Sequence, residues 1–285
     1  MKDIGLVLEG GGLRAIYTAG VLDFFLEKKL EFPYAVGVSA GAIYPASYVS
    51  KQKERNLQTQ MRYLNDKRYM GLKYLLTTGN YINIDFTYRK MAHELVPFDF
   101  ETFMKSTTEF KAGAFNCQSG ETDFFSKDDF SSKDKFLEIL IASGGLPFIS
   151  KEVFIDGTPY LDGGIACPIP IGKSLEDGNQ KNVVILTQDT GYKKSPLKFK
   201  KVTKVFYRKY PKVAAALINR HRVYNESLDL LDKLEKSGDV YIIRPCIKLD
   251  VARLETDLKK IKELYTLGIE DAKRHYKDLM KWINN

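Results

Sequence analysis

Three clusters in this chain have the residue types and spacing for acyl transfer. Residues 37–41 read Gly-Val-Ser-Ala-Gly, with Ser39 lying between an apolar run at 34–36 and a helical run at 42–49. A Gly-x-Ser-x-Gly turn between strand and helix holds a hydroxyl clear of the backbone, where it can attack a carbonyl. Gly10, Gly11 and Gly12 close another apolar run, residues 4–9, and open a helix. Backbone N–H groups at such a turn stabilise an oxyanion. Asp162 ends a third apolar stretch and is followed at once by Gly163 and Gly164. That sets a carboxylate at the carboxyl edge of a sheet, where ligands of open α/β sheets bind. Each cluster also has a plainer reading. Ser39 could cap the helix that starts at Ala40, and Asp162-Gly163 could be a simple turn. The glycine triplet fits neither G-x-G-x-x-G nor G-x-x-x-x-G-K-[ST], which argues against a nucleotide phosphate loop.

A nucleophilic serine needs a base, often histidine, and the chain has three. His221 lies between Arg220 and Arg222 with no carboxylate beside it to orient the ring. His93 precedes Asp162, against the Ser–Asp–His order of α/β-hydrolases. His275 falls on the outer stripe of a terminal helix beside Arg274. All three read as surface residues, so a triad is poorly supported. Asp162 is the better-placed base.

The elements that must position these groups follow from periodicity. Residues 13–29 carry apolar side chains at helical spacing, and Pro33 interrupts the chain before the strand leading to Ser39. Residues 54–64 read as a helix, 65–100 as a long variable region with Gly71, Gly79 and Pro97, and 110–125 as a β-hairpin around Ser119-Gly120. A helix is expected over 134–143, stopped by Gly144-Gly145 and Pro147, then short strands at 153–155 and 159–161. Residues 182–187 read as a buried strand of a parallel sheet. Helices are expected at 223–236, 254–264 and 269–282, with a strand at 240–244. Strands alternating with helices argue for an α/β protein.

At 285 residues the chain can bury a substantial core, as one large domain or two small ones. No apolar stretch approaches the ~18–20 residues of a membrane span. Residues 1–3 run directly into a strand without the apolar core of a secretion signal, so a cytoplasmic location is expected. Cys117, Cys167 and Cys246 are scattered, odd in number and lack a C-x-x-C pair. They read as buried thiols, with neither a disulfide frame nor a metal site. The formal net charge of +8 is concentrated. Between Gly191 and Arg222 eleven residues are basic and none is acidic, leaving 33 basic against 36 acidic elsewhere.

Taken in order, the clusters resemble the patatin-like phospholipases, serine acyl hydrolases with a Ser–Asp dyad. The likeness rests on Gly10-Gly11-Gly12 followed by Arg14, on the elbow Gly37-x-Ser39-x-Gly41, on Asp162-Gly163-Gly164, and on Ala142-Ser143 with Pro147 between elbow and aspartate. It spans residues 4–164 and runs on to Asp189; Ala15 departs from it, where many members carry glycine. The tail after residue 190 resembles the C-terminal extension of a bacterial branch of the family. The resemblance implies a three-layer α/β/α fold with a mostly parallel central sheet. It implies a catalytic domain at 1–190 and a basic, mainly helical extension at 191–285 packed on it. Ser39 is then the nucleophile, Asp162 the general base, and the N–H groups of Gly10, Gly11 and Gly12 the oxyanion hole. Arg14, Gly37, Gly41, Gly163 and Gly164 support them. No metal or organic cofactor is called for. The substrate implied is a fatty acyl ester of a phospholipid or related lipid. The alternatives are a general carboxylesterase or thioesterase on soluble esters, and a catalytically silent lipid-binding protein that keeps the fold.

The basic stretch from Lys198 to Tyr210 places Phe199, Val202, Val205, Phe206 and Tyr210 at helical spacing with cations between them. Such a helix can lie on an anionic membrane, making the protein peripheral to it, with each cation contributing about 1 kcal/mol. It can equally pack its aromatic side chains on the catalytic domain. Nucleic acid is not an expected partner, because no recognised module accompanies the charge.

Overall fold

In the computed structural model, which describes residues 3–248 and 250–285, every residue of the first strand, β1 (Ile4–Leu8), is buried. Burial on both faces is the mark of a strand inside a parallel sheet covered by helices. The glycine turn leads into α1 (Ile16–Glu27), and β2 (Tyr34–Val38) returns parallel to β1 before α2 (Ala40–Val49) leaves the elbow. Then come α3 (Arg55–Tyr63), α4 (Leu72–Thr78), a wide π-helix at Asp85–Leu95 and α5 (Phe100–Lys105). Gly71 and Gly79 stand at the two ends of α4. The hairpin is β3 (Glu109–Asn116) with β4 (Thr122–Phe125), followed by α6 (Lys133–Ser143), β5 (Val153–Ile155) and β6 (Thr158–Asp162). The chain closes through α7 (Ile171–Glu176), β7 (Lys181–Ile185), α8 (Lys200–Phe206), α9 (Pro211–Ser237), β8 (Val240–Ile243) and α10 (Leu258–Asn284).

The sheet runs β5-β6-β3-β2-β1-β7-β8, with β4 paired to β3. Neighbours from β3 to β8 are parallel, while β4, β5 and β6 pair antiparallel. Alternate strand residues divide between the faces. Leu6, Leu8, Val183 and Ile185 join a core with Ile16 of α1, Tyr44 of α2, Phe136 of α6 and Leu264 of α10. Val7, Val36, Val184 and Ile242 join another with Ile171 of α7 and Leu228 of α9. The architecture is the expected three-layer α/β/α, with a mostly parallel central sheet and a mainly helical C-terminal region.

The C-terminal region departs from the periodicity reading. One helix, α10, replaces the two expected at 254–264 and 269–282, because Gly268 lies where α1 crosses. A Cβ there would stand 2.1 Å from Tyr17 O, and one at Gly20 2.1 Å from Tyr265 O. The reciprocal glycines let two backbones meet, and helix packing outweighs the low helix propensity of Gly268. Helix α9 starts at Pro211, well before the expected 223, since proline at a first turn gives up no hydrogen bond. Helix α8 covers only 200–206 of the expected 198–210. Its apolar side chains face solvent, with Val202 62% and Val205 70% exposed, as does Phe199 just before it at 70%. Cys246 is exposed and Cys167 only partly buried, so of the three free thiols Cys117 alone fits the buried reading.

Candidate active site

β3 brings the serine and the aspartate together. β2 follows one edge of β3 as far as Val38, opposite Gly113; β6 runs the other way and takes up the next position, with Asp162 opposite Ala114. β4 holds the other edge of β3. Ser39, one residue beyond Val38, therefore meets Asp162 where two strands converge end to end. Ser39 Oγ donates to Asp162 Oδ2 at 2.7 Å, and the two residues are 6% and 5% exposed. The Ser39 side chain makes no cap bond to α2. Asp162 Oδ1 accepts from the Gly164 N–H at 2.8 Å, so the Asp-Gly-Gly turn fixes the carboxylate's orientation.

Ser143, at the end of α6, fills the gap between the strand ends. Its Oγ accepts from the Ser39 N–H at 2.9 Å and donates to Gly113 O at 2.7 Å. It stands in for the ladder bond that is lost where β2 stops. The sequence marked this residue only as part of a resembling block, because its partners are distant along the chain.

Ser39 adopts φ 57°, ψ −134°, a conformation that costs a non-glycine residue of order 1–3 kcal/mol. The turn is tight enough that a Cβ on Gly37 would stand 1.8 Å from Gly41 O. Gly37→Ala should therefore force the elbow open. Overpacking of this kind costs typically 1–3 kcal/mol or more, and the expected result is a fall of about 5 °C or more in the melting temperature, read by thermal denaturation.

The glycine turn passes directly beside the serine: a Cβ on Gly10 would lie 3.0 Å from Ser39 Cβ. Among the described residues, the N–H groups of Gly11 and Gly12 donate to no acceptor, while that of Gly10 reaches Pro168 O at a long 3.4 Å. The turn is held from the C-terminal region. Arg253 O accepts from the Leu13 N–H at 2.9 Å, and a Cβ on Gly12, whose φ is +60°, would stand 2.6 Å from that oxygen. Glu9, at the end of β1, anchors the turn from below by accepting from the Thr187 N–H at 2.6 Å and the Tyr224 hydroxyl at 2.8 Å. Ala15 is fully buried in the helical turn Gly12–Ala15, where its methyl is accommodated.

Burial raises the Asp162 carboxyl above its ordinary value, opposed by the Ser39 hydroxyl, Arg220, Arg253 and the Gly164 N–H. A carboxylate so shifted is a stronger base than one in water. Two cavities flank the pair. On the Ser39 side a cavity of about 140 Å³ is lined by Leu13, Ile43, Met70, Phe98, Leu137 and Leu140 among others. On the Asp162 side a wider one of about 620 Å³ is lined by Arg14, Phe148, Lys194, Phe199 and Arg220 among others. Leu146, Arg253 and Leu254 border both.

The histidines lie elsewhere. His93 pairs with Asp134 at 2.9 Å on the surface; His221 contacts Ile218 O, and His275 the Tyr241 hydroxyl, both rings half-buried and not fully exposed as expected. Among the described residues no group of three or more His, Cys, Asp or Glu is placed to hold a metal ion. No helix there is long and apolar enough to cross a membrane.

A family model for the patatin-like phospholipases matches residues 6–173, and one for a domain of unknown function (DUF6363) matches residues 210–284. The chain is 27% identical over 268 residues to the uncharacterized protein YjjU of Escherichia coli (strain K12), covering 93% of this chain and 74% of that protein. Among solved structures it is similar to VipD from Legionella pneumophila at 13% identity and a TM-score of 0.45, covering 96% of this chain and 67% of that one.

Proposed function

Because the chain belongs to the patatin-like phospholipase family, we propose that it hydrolyses fatty acyl esters of phospholipids or related lipids through an acyl-enzyme on Ser39. The observation that carries this reading is the enclosed 2.7 Å hydrogen bond from Ser39 Oγ to Asp162 Oδ2 beside the unoccupied glycine donors. Asp162 takes the proton as Ser39 Oγ attacks the ester carbonyl. The N–H groups of Gly11 and Gly12 receive the oxyanion, and Gly10 joins them by releasing its long bond to Pro168. Each such donor is worth roughly 10²–10³ in rate. The protonated Asp162 then hands its proton to the departing alcohol, leaving the acyl group on Ser39. Water, deprotonated by Asp162, releases the fatty acid and the proton returns to Ser39. Arg14, Gly37, Gly41, Gly163 and Gly164 hold this geometry. The acyl chain occupies the apolar cavity on the Ser39 side. Residues 1–190 act as the catalytic unit and 191–285 as an extension that completes its sheet through β8 and covers both faces with α9 and α10.

The enzyme acts at an anionic membrane surface, peripherally and from the cytoplasmic side. Val202 and Phe206 on α8 are 62% and 58% exposed, and the exposed Lys198, Lys200, Lys201 and Lys204 surround them. Phe148 packs against Phe206 with ring centroids 5.3 Å apart, and both Phe148 and Phe199 border the wider cavity, so this apolar, basic face opens beside the dyad. The test is fatty acid release from mixed anionic phospholipid vesicles, followed by mass spectrometry. Wild type should release fatty acid, Ser39→Ala none, and Val202→Asp with Val205→Asp should lower turnover of vesicles more than that of a monomeric ester. Turnover of soluble esters or thioesters with no gain at vesicles would instead make this a general esterase.

A further inference from the structure

Five cations line the wider cavity, the exposed Lys198 at its rim and four set deeper, and none of the four makes a proton-transfer or oxyanion contact in the acyl-transfer steps above. Arg14 comes from the glycine turn, Lys194 from the loop after β7, Arg220 from α9 and Arg253 from the loop before α10. Neighbouring Lys193, Lys209 and Arg222 each pair with a carboxylate. Among the described residues none of the four cavity cations does. Arg14 Nε is buried and has no hydrogen-bond partner there, and Arg220 Nε reaches only the Gly164 carbonyl. Arg14, Lys194 and Arg220 all feel the repulsion of Arg253, so the four charges converge. The carboxylates that face them are Asp162, bound to Ser39, and Glu9, committed to Thr187 and Tyr224. With the Lys194 ammonium lowered to about 7, the positive charge of these four exceeds the two carboxylates by between one and two, held close and only half exposed. Natural proteins keep uncompensated buried charge where a ligand supplies the counterion.

We propose that Arg14, Lys194, Arg220 and Arg253 bind the phosphate of an anionic acyl ester, so that the C-terminal extension selects the head group while the apolar cavity takes the acyl chain. The proposal rests on the acyl hydrolase reading above for its substrate, but the anion site itself does not. Phosphate suits the cluster because the planar guanidinium groups bind its oxygens in pairs and its one to two negative charges match the excess. Burial, then Arg220, Arg253 and Arg14, push the Lys194 ammonium down to about 7; a bound phosphate would draw it back up. Three of the four cations lie outside the residues that match the patatin-like family model, and Arg220 and Arg253 lie within the domain of unknown function. Part of the function of that domain is then head-group recognition.

The experiment compares kcat/KM on two monomeric substrates, dihexanoylglycerol phosphate and dihexanoylglycerol, so that membrane adsorption plays no part. Wild type should prefer the phosphate-bearing ester. Losing one charge-assisted contact should lower that preference by about 10- to 100-fold in Arg253→Gln and in Lys194→Gln, with partial recovery in Arg253→Lys. A merely structural role for these residues would lower both rates together and leave the ratio unchanged, which overturns the proposal. Calorimetry on the Ser39→Ala protein gives a second readout without turnover. Binding of glycerol 3-phosphate that Arg253→Gln weakens supports the site, even if no ester is cleaved and the hydrolase reading falls. Tighter binding of inorganic phosphate than of glycerol 3-phosphate would overturn the head-group assignment in favour of a free-phosphate site. No binding of either would overturn the site itself.

Discussion

Ser39→Ala should abolish labelling by a fluorophosphonate probe and lower ester hydrolysis by roughly 10⁶-fold, the scale on which a serine hydrolase loses its nucleophile. The expectation follows from how little else in the site could attack. The serine hydroxyl is the group pointed at the carboxylate, the neighbouring Ser143 hydroxyl is consumed by Ser39 N–H and Gly113 O, and the histidines lie elsewhere. Alanine fits the elbow's volume, and the φ of 57° is imposed by the surrounding turn, so the variant should stay folded. Its melting temperature should fall only modestly, because the buried Asp162 carboxylate loses one hydrogen bond, worth about 1–3 kcal/mol, while the backbone strain stays. Labelling that persists in Ser39→Ala would move the nucleophile elsewhere. No labelling of wild type would leave the silent lipid-binding reading standing.

Much of this site was legible because its parts are local. An elbow needs glycines within two residues of its serine, and an oxyanion turn needs a glycine run at a strand's end, so both leave compact signatures. Asp162 was legible for the same reason: its strand ends in Gly163-Gly164. What stayed hidden was made by register and by chain return. Ser143 acquires its role because β2 and β6 meet head-on along β3, and no spacing in the sequence encodes that. Arg253 lies far from the glycine turn in sequence, yet its carbonyl fixes Leu13 and its side chain joins the cation cluster. The fold shows the same division. Buried strands and short amphipathic helices follow from periodicity, whereas the unbroken α10 depends on Gly268 finding Gly20 across a helix crossing. The exposure of α8 was equally unreadable, since a stripe of apolar residues is identical whether it faces a core or a membrane.

Asp162→Asn should lower kcat by about 10⁴-fold or more, the scale of losing the carboxylate of a catalytic triad, while leaving the protein at least as stable near neutral pH. The amide keeps the carboxylate's shape, and its oxygen can still accept from the Gly164 N–H, but it cannot take a proton from Ser39. The burial that suits Asp162 to the proposed role of base also sets its effect on stability. Burial raises its pKa in the folded protein above the ordinary aspartate value. A group whose folded pKa lies above its unfolded value favours folding below the unfolded pKa and loses that contribution as pH rises through the folded one. At neutral pH the ionised carboxylate is therefore a burden on the fold that asparagine relieves. The melting temperature of Asp162→Asn should match or exceed that of wild type near pH 7. The difference should shrink as the pH falls through and below the ordinary carboxylate range, where the wild-type residue becomes neutral in both states. In wild type, the acid limb of the kcat profile should lie above the ordinary carboxylate range. Because Arg220 and Arg253 hold Asp162 down, Arg253→Gln should move that limb to higher pH. A profile that falls only near the ordinary carboxylate range, or that Arg253→Gln leaves in place, would remove Asp162 as the base that the buried cations tune.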